Sequence, residues 1–316
     1  MPASVNLQLY DGRDLLIREI RSSGTLPQGE HSLSWDLRDS QRRLVPAEAY
    51  TYALEARDAQ GRTVRHDVAD ATGGDDLAAR DVKWDAANGR LSYVLDRPVR
   101  VSIRIGLSDG GPLLRTLRDW VVRPAGAQQE SWDGKDASGV IAVGAHPKLN
   151  ISVQAFALPE NSILVGAPPA SVNLVRDLPA DTPARPKSAS APKRMYAHSQ
   201  QSLESRGDFN VHLTLPKTLA RSADVAIVSE PIAVRLDVAA ADRERALSRR
   251  FEPVFFIDGQ FAFENEVGFV PMTWNFDPAT LNEGEHYLTV NLRGYEGNFG
   301  IATVKILVKH RQAASR

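Results

Sequence analysis

An all-β chain of two or three β-sandwich domains in tandem is what the 316-residue sequence predicts, on three observations. Two segments superpose at an offset of 97 residues, with Pro27, Gly29, Ser34, Trp35, Asp36 and Asp39 falling on Pro124, Gly126, Ser131, Trp132, Asp133 and Asp136. Short runs alternate apolar and polar residues along most of the chain, which lines one face of each strand with apolar side chains. A Pro- and Ser-rich stretch at 178–205 then separates the repeat pair from a third set of alternating runs.

The first copy, residues 1–70, opens on Val5, Leu7 and Leu9 and passes a polar turn to Leu15-Leu16. It reaches the Trp35-Asp36 corner and resumes in Tyr50, Tyr52 and Leu54. The second copy, residues 78–177, repeats this with Val101, Ile103 and Ile105, then Leu113-Leu114, Trp132-Asp133 and Leu149, Ile151 and Val153. It also carries a leading hairpin, in which 81–84 and 91–95 flank Asn88-Gly89, a pair suited to a two-residue turn. The first copy has no counterpart, so its fold is expected to be one or two strands short and to present an unpaired edge.

Residues 206–316 alternate again, through Val211-Leu213-Leu215, Ile232-Val234-Leu236-Val238, Leu288-Val290-Leu292 and Ile301 to Leu307, and predict a third sandwich. Only 239–250 reads as helical, and it is too polar for a core helix. Gly284-Glu285-His286-Tyr287-Leu288 echoes Gly29-Glu30-His31-Ser32-Leu33, each after a short polar turn.

Composition removes several function classes. Thirty-eight Lys and Arg against 39 Asp and Glu leave no net field to draw a polyanion, so nucleic acid is not an expected partner. The absence of cysteine excludes disulfides, thiolate metal sites and cysteine nucleophiles. No run approaches the roughly 18 apolar residues of a membrane helix. The first residues, Met1 to Val5, enter a strand pattern at once, without a basic and apolar signal segment. The expected location is extracytoplasmic, in the periplasm or at the cell surface, with a signal sequence already removed.

Taken together, these residues resemble the immunoglobulin-like module of the bacterial flagellar hook-assembly scaffold, which is widespread in secreted and surface proteins. Tyr10-Asp11-Gly12, Leu16-Ile17-Arg18, Trp35 to Asp39 and Pro46 to Tyr52 carry the likeness in the first copy. Leu95 to Ile105, Leu114 to Leu117 and Trp132 to Gly139 carry it in the second. Leu37 and Arg42 depart from the pattern, standing where the second copy has Gly134 and Gly139. The third domain resembles a generic bacterial immunoglobulin-like or fibronectin-like domain. The resemblance implies a spacer, adaptor or accessory role outside the cytoplasm and carries no catalytic residues.

Candidate chemistry is sparse. The Trp-Asp pairs could form a sugar platform, but their repetition at a strand-to-turn junction points to core indoles and carboxylates that cap turn amides. Residues 65–76 gather carboxylates of the type that bind calcium, in a spacing that matches no known loop, and a solvated connection is the simpler reading. Seven scattered histidines form no metal pair, and no nucleophile elbow or phosphate loop occurs, so neither cofactor nor catalysis is expected. The Gly-rich segment 293–300 offers Tyr295, Asn298 and Phe299 as a partner-contact loop, or alternatively a turn whose Phe299 tucks back into the core.

The functional expectation is a non-catalytic structural or adaptor subunit that binds other protein subunits or itself by strand complementation at the first module. The alternative is a carbohydrate- or surface-binding accessory protein of a secreted enzyme system.

Overall fold

The structure is a computed structural model that describes residues 1–69, 71–166, 178–186 and 206–310. It is all-β, with tandem immunoglobulin-like sheets and, among the described residues, one α-helix and a short 3-10 turn at Pro278–Thr280. The strands of the first half are β1 (Ala3–Tyr10), β2 (Leu16–Arg21), β3 (Ala49–Asp58), β4 (Thr63–His66), β5 (Asp76–Ala78), β6 (Arg80–Asp85), β7 (Arg90–Leu95), β8 (Val99–Leu107), β9 (Leu113–Arg123), β10 (Gly126–Ser131), β11 (Leu149–Ala157) and β12 (Ser162–Leu164).

The second copy is a complete sandwich. A four-stranded sheet, β5-β11-β8-β9, faces a three-stranded one, β10-β7-β6. Alternation puts Val99, Val101, Ile103 and Ile105 of β8 against Leu91, Tyr93 and Leu95 of β7, and all seven are buried with Trp132 in one core. The leading hairpin forms, but not around a two-residue turn. Asp85 pairs with Arg90, leaving four residues in the loop, because the Asp85 carboxylate accepts the Ala87 and Asn88 amides and opens the turn.

Among the described residues, the strands of the first copy form a single sheet. Its five strands follow the order β12-β3-β1-β2, with β4 also on β3. Two sequence boundaries move here. Strand β12, assigned to the second module, pairs with Ala49–Thr51 of β3, and Leu16 of β2 donates to the Pro183 carbonyl at 2.8 Å within the stretch read as linker. The sequence signals neither return, since a three-residue strand has no periodicity and its partner lies more than a hundred residues upstream. Residues 167–177, read as the end of the second module, and 187–205 of the linker lie outside the described residues.

Arg185 explains why the 183–185 segment holds. Its buried guanidinium bonds both oxygens of Asp67 at 2.6 and 2.7 Å and Asp14 at 3.1 Å, and stacks over the Tyr10 ring. Two carboxylates and an aromatic face compensate a cation that would be costly to bury alone.

The third domain comprises β13 (Val211–Thr214), β14 (Arg221–Ser222), β15 (Val225–Val228), β16 (Ile232–Val238), helix α1 (Ala240–Leu247), β17 (Phe251–Ile257), β18 (Gln260–Glu264), β19 (Met272–Phe276), β20 (Gly284–Gly294) and β21 (Phe299–Val308). A three-stranded sheet, β13-β16-β19, packs on a six-stranded one, β14-β15-β21-β20-β17-β18, over a core centred on Phe255, Leu236 and Leu288. Helix α1 lies on the surface, as its polarity predicts, and buries only Ala246.

The three units meet at Glu48. This buried carboxylate bonds Arg100 of β8 through one oxygen and Arg206, at the start of the third domain, through the other at 2.6 Å. One acid thus ties together residues 52 and 158 positions away.

Candidate functional site

The repeat holds at the level of single hydrogen bonds. Trp35 Nε1 donates to the Arg38 carbonyl and Trp132 Nε1 to the Lys135 carbonyl, both at 2.8 Å. Asp39 accepts the amides of Gln41 and Arg43, and Asp136 those of Ser138, Val140 and Ile141. Ser40 donates to Ile17 and Ala137 to Leu114, in each case a backbone bond of 2.8 Å. The Trp-Asp corners are therefore structural, and the aspartates serve turn amides rather than a ligand. Even the departures keep the backbone: Leu37 and Arg42 hold φ of 58° and 63° where Gly134 and Gly139 hold 74° and 72°. Left-handed φ at a non-glycine costs of the order of 1 kcal/mol, so the corner geometry overrides residue preference.

A second motif appears three times. Gly29, Gly126 and Gly284 take positive φ of 147°, 98° and 137°. Two residues on, His31 bonds back to the Pro27 carbonyl at 2.8 Å, Gln128 to Pro124 at 3.1 Å and His286 to Asn282 at 2.9 Å. Each turn launches the chain in a new direction. From Gly126 it enters β10, which ladders to β7, and from Gly284 it enters β20 between β17 and β21. From Gly29 it enters nothing, for 29–34 forms no strand and its backbone amides donate no hydrogen bond among the described residues.

The consequence is an incompletely covered sheet. Val101 and Ile103 are fully buried in the second module, whereas their counterparts Val5 and Leu7 are half-buried and 8% exposed. Trp132 packs against Trp84 of the leading hairpin with ring centres 4.6 Å apart. Trp35 has Tyr50 at 5.3 Å instead and stays half-buried, while His31 is exposed and Leu33 half-buried. Leu33, Trp35 and Leu178, themselves half-buried, pack against the buried Leu7, Leu9 and Ile17. The β3 and β2 edges are thus occupied by β4, β12 and Pro183, and the segment left without a ladder among the described residues is 29–34.

The predicted contact loop is divided by the structure. Tyr295 is exposed and bonds Glu252, but Asn298 is buried against Gly207 and Arg249, and Phe299 lies under the Arg104 guanidinium of β8 at 4.3 Å. Asn298 thus serves a contact within the third domain, and Phe299 a contact between the second and third. The same contact includes Asn291, whose side-chain amide both accepts from and donates to the Leu113 backbone at 2.7 and 2.6 Å. Sequence reasoning missed it because Arg104 and Leu113 carry no motif.

Asp208 sits within that contact. Burial, reinforced by the neighbouring Asp119 carboxylate, pushes its carboxyl up to about 6 against hydrogen bonding from Thr116 and the charge of Arg104. In the acidic segment, Asp67 is taken by Arg185 and Arg65, and no grouping of three metal-ligating side chains occurs among the described residues. Asp70 lies outside them. A cleft of about 570 Å³ at the junction is lined by Glu48, Leu117, Asp119, Val165 and Arg206, the same groups that join the modules.

No protein-family model and no curated protein matches the chain. Solved structures match it only distantly. Fibronectin(III)-like modules of Clostridium thermocellum CbhA are 14% identical, covering 78% of this chain and 98% of theirs at a TM-score of 0.25. A calcium-stabilised adhesin with which an Antarctic bacterium binds ice is 13% identical over 99% of this chain and 66% of its own, at 0.22. A tetra-tandem repeat from the extending region of a large adhesion protein is 15% identical over 97% and 67%, at 0.19. With scores this low, the assignment of tandem immunoglobulin-like architecture rests on this chain's own sheets.

Proposed function

We propose that the chain is a non-catalytic structural adaptor acting outside the cytoplasm, in which the first module receives a strand from a protein partner and the other two hold that module in place. The observation that carries this reading is the launched but unladdered segment 29–34, whose Leu33 is half-buried together with the adjoining Trp35 at the edge of the first module's core. Apolar surface left against water, beside backbone donors without partners, favours strand addition. The resemblance to scaffold modules supports the same reading, as does the side-chain locking of all three units through Glu48.

Photocrosslinking tests it. Benzoylphenylalanine at His31 should yield one discrete adduct with a protein of the envelope fraction, identified by mass spectrometry. Leu33→Asp should abolish that adduct, and the same probe at exposed Val64 should not give it. Adducts that are absent, or the same at both positions, would contradict the reading.

A surface-binding role has its own support. Phe261, Phe269, Val267 and Tyr295 are exposed on the third domain, and all five residues of edge strand β18 are exposed. Such a patch suits binding to a carbohydrate or apolar surface. A glycan array showing hits lost on Phe261→Ser with Phe269→Ser would favour it.

A further inference from the structure

Among the described residues, the apolar cores of the second and third domains have no member in common, and the contact between the two is mainly polar. Three backbone amides cross it. Leu113 donates to Asn291 Oδ1 at 2.7 Å, Gly207 to Asp119 Oδ2 at 2.6 Å and Thr303 to Ser138 Oγ at 2.8 Å. Arg104 adds a bond to the Gly297 carbonyl at 2.6 Å. A polar contact between domains that each keep their own core favours relative motion. The connection suits it. Arg206 is fastened to Glu48 at 2.6 Å and to the Trp120 carbonyl at 3.2 Å. The next residue, Gly207, has φ of 92° and nothing within 4 Å of where a Cβ would stand, so the backbone can turn there without a clash. Asp208 follows and enters the contact.

Charge does not balance in the closed contact. The Asp208 carboxylate accepts the Phe299 amide at 3.3 Å and faces Asp119 and Thr116 of β9 and Arg104 of β8. Arg104 lies 3.9 Å from Asp119. The other nearby cation, Arg245 of α1, is directed to the Asp208 carbonyl at 3.1 Å and to the Phe209 ring. Two carboxylates thus share one guanidinium, and closing the domains removes the water that would screen their repulsion. We infer that the second and third domains form a hinged pair that closes by taking up one proton, with Gly207 as the pivot and the Asp208 carboxyl as the proton's seat.

The proton belongs to the closed form because Asp119, Thr116 and Arg104 all lie in the second domain. Opening takes them away and returns the carboxyl to water. In the closed contact burial, with Asp119 in support and Thr116 and Arg104 in opposition, holds Asp208 at about 6, against an ordinary 3.8 once solvated. Closure is therefore fully favoured below about pH 4 and weakens as pH rises toward 6. Between pH 4.5 and 7.5 the closing constant falls roughly 25-fold.

Amide exchange of the full chain, read residue by residue by NMR and corrected for the intrinsic effect of pH, tests the hinge. Protection of the Leu113, Gly207 and Thr303 amides should fall together, by about 25-fold from pH 4.5 to 7.5, and stay below that of core amides in β8 and β20. In Asp208→Asn the three should be equally protected at both pH values. Asp119→Asn, which keeps an oxygen for the Gly207 amide, should move the loss to lower pH. Protection equal to that of β8 and β20 would mean that the contact opens only on unfolding, and protection that is flat or rises with pH would remove the proton; either result overturns the inference. So does a loss that persists in Asp208→Asn or, should that variant not fold, a loss that Asp119→Asn leaves at the same pH.

Discussion

Replacing Glu48 with Gln is expected to destabilise the protein by about 3–5 kcal/mol and to uncouple its modules, because two buried guanidinium groups lose their shared carboxylate. Arg100 and Glu48 are 4% and 5% exposed at the side chain and Arg206 is 7%, so water cannot replace the lost charge. Burial, together with the neighbouring Arg206 charge, draws the Arg100 guanidinium down to about 10 against the opposing pull of Glu48. Urea titration followed by tryptophan emission should give one transition for the native chain and two separated transitions for the variant. Adding Arg100→Met and Arg206→Met to Glu48→Gln should recover much of the loss, since the desolvation problem is removed on both sides. A loss below about 1 kcal/mol for Glu48→Gln alone would show that the junction contributes little.

The second large effect is a pH dependence carried by Asp208. Its carboxyl titrates near 3.8 in the unfolded chain and at about 6 in the fold, so between these values the folded state binds the extra proton. Stability is then highest below pH 4 for this group and falls as pH rises toward 6, the reverse of a salt-bridged aspartate. At about 1.4 kcal/mol per pH unit, the span amounts to roughly 3 kcal/mol. Asp208→Asn should therefore stabilise the chain at pH 7 and flatten its profile between about pH 4 and 6. The groups facing Asp208 are Asp119, Thr116 and Arg104 of the second module and the Phe299 amide of the third. The gain should accordingly appear in the single transition of the intact chain and, once Glu48→Gln separates the modules, in the transition that includes the second and third domains. An unchanged profile in the variant would assign the pH dependence to other groups.

How far the fold could be read from the sequence depends on whether a feature is periodic or singular. The Trp-Asp corners and the Gly29, Gly126 and Gly284 turns were legible because each is a local hydrogen-bond unit in which one side chain satisfies nearby backbone groups. Local units repeat as sequence.

What stayed hidden depends on single long-range side chains. Arg185 anchors a Pro-rich stretch to the first sheet through Asp14 and Asp67, 171 and 118 positions away, and a lone arginine between prolines gives no sign of it. Asn298 and Phe299 looked like an exposed tip because glycines surround them. Arg104 and Gly207, supplied from elsewhere in the chain, bury them. The return of β12 to β3 was hidden as well, because a three-residue strand carries no periodicity and its partner lies more than a hundred residues upstream.

Amide hydrogen exchange across the two copies tests the central claim directly, that they are one structural unit whose inner segment is laddered in the second copy, as β10 on β7, and unladdered in the first, at 29–34. The β10 amides that ladder to β7 should exchange slowly along with β8 and β11, while 30–34 should exchange at nearly unprotected rates beside slowly exchanging β1 and β3. Equal protection of 30–34 and β10 in the isolated protein would contradict the account, for it would mean that the first module's inner layer is already complete.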